Sequence, residues 1–286
     1  MRFSEDHLDV LTCSDSVQRP IHVWAAEQPK AVILAIHGGL AHAGDYVTPA
    51  LYFRARGFAT VSYDMVGHDR KRRVDIPSFE NFLADTELLL KWIKRKYPQL
   101  PVFVMGHSMG ALIATHLGLG RFAKDPVIKG FVLSSPYYVN AIQVPAVLLK
   151  LSSVLSKLFP TMKVPMESMT DMLTHDATIT ARHHADELDD TRASEASFRF
   201  AAALLGAQAA LKGTLAGWRQ PVFAVLAGQD KLANVSASQA MFKTMPQHLL
   251  DLHVYADNYH ENFNETNREE IYASLLEWLE ARLLAA

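Results

Sequence analysis

The chain has 286 residues, of which 49% are hydrophobic and 20% charged, and its formal net charge is −2. That balance belongs to an ordinary globular protein, not a disordered or membrane-spanning one, and it supplies no basic excess for tracking nucleic-acid phosphates. A single cysteine, Cys13, excludes an intramolecular disulfide and a cysteine-rich metal site. The first residues, Met1 to His7, lack the apolar region of a secretory signal, so a cytoplasmic location is expected.

In chain order, short apolar runs rich in β-branched residues predict strands at Arg19–Ala25, Ala31–Ile36, Phe58–Tyr63, Val102–Met105, Ile128–Leu133, Val222–Leu226 and Leu250–Tyr255. Several are almost continuously apolar, as strands buried on both faces are. Helical patterns fall between them at Pro49–Arg56, Phe79–Tyr97, Ala111–Phe122, Ser236–Met245 and Arg268–Leu284. Pro77-Ser78 marks the start of the second of these and Pro98 its end. The alternation predicts an α/β fold with a mostly parallel sheet and helices on both faces.

The alternation stops between Pro136 and Trp218, where helical periodicity continues without a convincing strand. The expectation is a core made of residues 1–135 and 219–286, with residues 136–218 inserted as a helical cap over the carboxyl ends of the strands, where such sheets bind ligands. Within it, Val144, Val147, Leu148, Leu151, Leu155, Leu158 and Phe159 follow a helical spacing. That face either packs on the core or forms a lid that touches a lipid surface. Lys150 and Lys157 interrupt it, and it is shorter than the ~20 residues a membrane span needs.

Gly106-His107-Ser108-Met109-Gly110 follows an apolar strand and opens a helix, the setting of a nucleophile elbow. A serine hydroxyl is a weak nucleophile, so it needs a histidine to take its proton and a carboxylate to orient that histidine. Asp230, in the loop after Val222–Leu226, and His260, after the last strand, satisfy the Ser, Asp, His order. Asp251, within a predicted strand, and Asp257, three residues before His260, are the rival acids. The oxyanion amides are assigned to Met109, after the nucleophile, and to Gly39 in His37-Gly38-Gly39-Leu40. The His183-His184 pair lacks a recognisable ligand partner and no H-E-x-x-H is present, so neither a metal nor another cofactor is expected. The run Arg70, Lys71, Arg72, Arg73 reads as a solvated loop, or as a preference for anionic substrates if it faces the pocket.

Together these motifs resemble the monoacylglycerol lipase and lysophospholipase group of α/β-hydrolases, from His37 to Trp278. The resemblance is carried by His37-Gly38-Gly39 with His42 and Tyr46, Asp64-Met65-Val66-Gly67-His68, the stretch from Pro101 to Gly110, Gly228-Gln229-Asp230 and Tyr259-His260. It implies an α/β-hydrolase fold with a helical cap and a serine carboxylic ester hydrolase that acts on a small ester or lipid through an acyl-enzyme. It also implies a triad of Ser108, Asp230 and His260, with Gly39 and Met109 as oxyanion donors. Two departures stand out. The family's common G-H-G-x-S reads Gly67-His68-Asp69-Arg70-Lys71, and its Glu-His followed by Arg-Tyr reads Ala41-His42 and Asp45-Tyr46. Thioester, amide or carbon–carbon bond cleavage on the same scaffold is the alternative enzyme class. A binding protein without turnover has no need of all three triad residues.

Overall fold

Eight strands form one sheet in the computed structural model, which describes residues 2–68, 74–141 and 154–284. They are β1 (His7–Thr12), β2 (Gln18–Trp24), β3 (Ala31–Ile36), β4 (Phe58–Tyr63), β5 (Val102–His107), β6 (Ile128–Ser134), β9 (Val222–Ala227) and β10 (Leu250–Tyr255), arranged β1-β2-β4-β3-β5-β6-β9-β10. β2 is antiparallel to both β1 and β4, and the other neighbours are parallel. All seven expected strands are present. β1 escaped the apolar-run criterion because it is an edge strand on which only Leu11 is buried.

The central strands are buried on both faces, and period-two alternation sorts their side chains. Val32, Leu34 and Ile36 pack on one side with Phe82, Leu89 and Ile93 of α2 (Glu80–Lys96) and Leu112 and Ile113 of α3 (Met109–Leu119). Ala31, Ile33 and Ala35 pack on the other with Ala50 and Phe53 of α1 (Val47–Arg54) and Ile271, Leu275 and Trp278 of the C-terminal helix (Arg268–Leu284). This is an α/β-hydrolase architecture, with a mostly parallel sheet between two helical layers.

Between β6 and β9, which are neighbours in the sheet, the chain makes an excursion. It contains α4 (Ala177–Leu188) and α5 (Phe198–Ala210), capped by the side chains of Asp176 and Ser197 respectively. It also contains a small antiparallel pair, β7 (Lys163–Pro165) with β8 (Glu195–Ser197), where no strand was expected. Three residues per strand are too few to register as an apolar run. Phe200, Ala207, Leu211 and Leu215 join the main core, while Leu158 and Phe159 are exposed. Val144, Val147, Leu148 and Leu151 of the expected apolar face lie outside the described residues, as does the basic run at 70–73. No helix among the described residues is long and apolar enough to cross a membrane.

Candidate active site

Ser108 stands between β5 and α3 with φ 55° and ψ −117°, a backbone state that L residues rarely adopt. Its flanking glycines make that turn possible. A Cβ on Gly106 would lie 2.4 Å from the Gly110 carbonyl oxygen, and one on Gly110 would lie 1.9 Å from that of Ile36. The serine backbone is then pinned: its N–H donates to the Ser134 carbonyl at 2.9 Å, and its own carbonyl accepts from Leu112 and Tyr137. Strain of this kind costs about 1–3 kcal/mol and persists only where surrounding bonds over-determine it.

The loop after β3 runs against the start of α3. A Cβ on Gly39 would sit 3.6 Å from Met109 Sδ, so the two residues assigned as oxyanion donors are neighbours. Two imidazoles hold this loop. His37 Nε2 accepts from the Met65 N–H at 3.1 Å while its Nδ1–H donates to the Gly38 carbonyl at 2.8 Å. His68 Nε2 accepts from the Leu40 N–H at 3.0 Å, and its Nδ1–H donates to the Val66 carbonyl. Burial pushes the His37 pKa down to about 4, which keeps the ring neutral and able to accept.

Asp230 and His260 are brought together at the ends of β9 and β10. Asp230 Oδ2 accepts from His260 Nδ1–H at 2.8 Å, and Oδ1 accepts from the Leu232 and Ala233 amides at 2.9 Å each. Burial alone would raise the Asp230 carboxyl, but the His260 imidazole and the two amides hold it below its ordinary range, so it stays ionised. With Nδ1 protonated, the other nitrogen of His260 is the one left to act as a base. The His260 ring meets that of His107 edge-on at 4.7 Å, which seats it beside the elbow residue preceding Ser108. The rival acids are elsewhere: Asp251 and Asp257 are both exposed, and Asp251 lies 2.9 Å from His253.

A buried cluster of charge beside this assembly escaped the sequence reading. His183 of α4 approaches Glu261, the residue after His260, at 2.9 Å; Arg192 approaches both His183 and Asp45; His42 approaches Asp186. Its members are scattered over 220 positions, so spacing gives no signal. The only hints were His183-His184, weighed in the sequence only as metal ligands, and Asp45, marked as a departure from the resembled family. His183 has its partner in Glu261, whereas His184 is on the surface beside Asp171. His42, Asp45 and Asp186 bring ligand atoms within 4.8 Å of one another, but Arg2 pairs with Asp186 and Arg192 with Asp45. Two guanidiniums already neutralise those carboxylates, so the trio reads as part of an ion-pair network.

Comparison with known proteins agrees with this architecture. Residues 27–267 match the family model Hydrolase_4, described as serine aminopeptidase, S33. The chain is 31% identical to phospholipase YtpA of Bacillus subtilis, covering 87% of this chain and 95% of that one. It is 30% identical to a monoacylglycerol lipase of Mycolicibacterium smegmatis, covering 91% and 92%. The fold superposes on a soluble variant of the monoglyceride lipase of Saccharomyces cerevisiae with a TM-score of 0.83 at 18% identity, over 96% of this chain and 95% of the other. The chain therefore belongs to the Hydrolase_4 family of serine hydrolases, within the α/β-hydrolases.

Proposed function

We propose that the protein is a serine carboxylic ester hydrolase of the monoacylglycerol lipase or lysophospholipase type, with Ser108 as nucleophile, His260 as general base and Asp230 as its orienting acid. The observation that carries this is the 2.8 Å bond from His260 Nδ1 to Asp230, made by an imidazole packed on His107, the residue before Ser108 on its strained elbow. His260 takes the Ser108 proton as Oγ attacks the ester carbonyl, and the Gly39 and Met109 amides receive the developing oxyanion. The imidazolium then protonates the leaving alcohol, and water activated by the same histidine releases the acid. Residues 136–218 serve as a cap over this site, and residues 1–135 and 219–286 as the catalytic core. The exposed Leu158, Phe159, Met162 and Met166 give the cap an apolar surface suited to peripheral contact with lipid from the cytoplasmic side.

The relatives' names support an ester as the bond cleaved, while the aminopeptidase description of the family makes a peptide bond the second reading. A fluorophosphonate probe should label the wild type and not Ser108→Ala; labelling that persists in the variant removes the assignment. Across esters, thioesters and amides of graded acyl length, kcat/KM should be highest for long-chain monoacyl esters. A preference for aminoacyl amides would move the protein to the second reading.

A further inference from the structure

The catalytic histidine and the oxyanion loop come from different parts of the sheet, and the described residues of the inserted segment bond to both. Leu173 gives its carbonyl to the Glu261 N–H at 2.8 Å, one residue from His260, and the Ala193 N–H donates to the Leu40 carbonyl at 2.9 Å, one residue from Gly39. Between these backbone contacts lies a chain of buried side chains. Arg192 Nη2 donates to Asp45 Oδ2 at 2.6 Å and to His183 Nδ1 at 2.9 Å. A guanidinium can only donate, so His183 carries its proton on Nε2, which donates to Glu261 Oε2 at 2.9 Å. Asn264 donates to the same Glu261 oxygen at 2.8 Å.

We infer that Arg192 is a positioning residue: it bridges Asp45 on the oxyanion side to His183 and Glu261 on the histidine side, so that the inserted segment sets the spacing of the two halves of the catalytic site. The inference rests on the triad and oxyanion roles proposed above. Asp45 and Glu261 both line one cavity of about 20 Å³, room for about a single water. Burial raises both carboxyls, but the groups around them bring each well below its ordinary range: Arg192 leads for Asp45, and the hydrogen bond from His183 together with the Arg192 charge acts on Glu261. The two carboxylates disfavour each other's charge, and Arg192, itself buried, bonds to Asp45 directly and reaches Glu261 through His183. Without the guanidinium, His183 stands between two carboxylates, 3.7 Å from Asp45 and 2.9 Å from Glu261, and the nearest remaining guanidinium is Arg182, 3.9 Å from Asp45. Either His183 or one of the carboxyls takes up a proton, or the loops move apart, and the loops carry Gly39 and His260.

The test compares Arg192→Met, Arg192→Lys and the double variant Arg192→Met with Asp45→Asn, using a soluble ester and the fluorophosphonate labelling rate. Displacing a catalytic group by about an ångström costs on the order of 100-fold, so Arg192→Met should lose roughly 10- to 100-fold in kcat with KM within about twofold. Arg192→Lys, which keeps charge but cannot hold both partners in one plane, should fall between it and the wild type. The double variant removes the facing carboxylate and should recover at least roughly fivefold in kcat over Arg192→Met. A purely structural role would give no such recovery. If Arg192→Met does not fold, Arg192→Lys carries the test. Single variants within twofold of wild-type kcat, or a double variant no better than Arg192→Met, overturn the inference. Wild-type protein that fails to label at Ser108 overturns the functional reading instead.

Discussion

The site is held from two sides by different means. On the sheet side, Ser108, Gly39 and Met109 are placed by backbone: a positive-φ turn, Gly106 and Gly110 with no room for a Cβ, and amides and carbonyls bonded to fixed strands. On the side of the inserted segment, the contacts to the Asp45 and Glu261 loops are made largely by charged side chains. Backbone placement tolerates almost no substitution at its glycines, but it needs no partner to remain in register. Charged side-chain placement is adjustable and depends on every member of the network staying charged and in reach. The Ser108 side is therefore held by backbone fit, and the segment side by side-chain pairing.

The first way to test the sheet side is at its acid. In Asp230→Asn, the carboxamide oxygen can keep the Leu232 and Ala233 amides, while its NH2 would donate to His260 Nδ1 and force the proton onto the other nitrogen. The base is then lost with the geometry intact. A fall in kcat of roughly 10⁴ is expected for this change in a Ser-His-Asp site; a loss below tenfold would show that another group orients His260. Next in size is Gly110→Ala, whose Cβ must displace the Ile36 backbone. Urea denaturation should show a loss of about 4 kcal/mol or more, the range reserved for severe backbone or packing conflicts, and a loss under 1 kcal/mol would mean the elbow is not rigid.

A third effect comes from the buried imidazoles. His37 and His107 have pKa values of about 4, lowered chiefly by burial and, for His107, also by the neighbouring His260. An unfolded histidine titrates near 6.5, so between about pH 6.5 and 4 the unfolded chain binds more protons than the folded one. The stability from keeping these rings neutral is complete above that window and is lost as pH falls through it. The urea midpoint should drop steadily from pH 6.5 to 4. The lowered carboxyls of Asp45, Asp64 and Glu261 contribute a further loss only below their unfolded values, near pH 4. A midpoint that is flat down to pH 4.5 would show that His37 and His107 are not held neutral by burial.

The same contrast explains what could be read from the sequence. Backbone-held parts leave local signatures: Gly106 and Gly110 around Ser108, the apolar runs of β3, β5 and β9, and glycines after β3 are all short-range patterns, and each led to the right element. Asp230 and His260 followed from strand ends and chain order, and the structure brings those two within a hydrogen bond. The segment side leaves no such trace, because Asp45, His183, Arg192 and Glu261 meet only in space. β1 and the β7–β8 pair were silent for a related reason, since exposed or three-residue strands carry no apolar period. The family resemblance marked Asp45 only as a departure, and that it pairs with Arg192 is visible only in space.

The smallest predicted effect probes whether the segment side is free of backbone constraint. Gly206 lies inside α5, is exposed, and has nothing within 4 Å of where a Cβ would be. Alanine there removes the helix-interior penalty of glycine, up to about 1 kcal/mol, and reduces the freedom of the unfolded chain. Calorimetry should show the melting midpoint of Gly206→Ala rising by about 1–4 °C for a chain of this size, with kcat unchanged. The sheet-side and segment-side glycines would then respond to the same methyl group with opposite signs, severe loss at Gly110 and modest gain at Gly206. A lowered midpoint or a changed kcat in Gly206→Ala would mean that α5 is held by backbone fit as the elbow is, and the division between the two sides would have to be redrawn along the network of Arg192 alone.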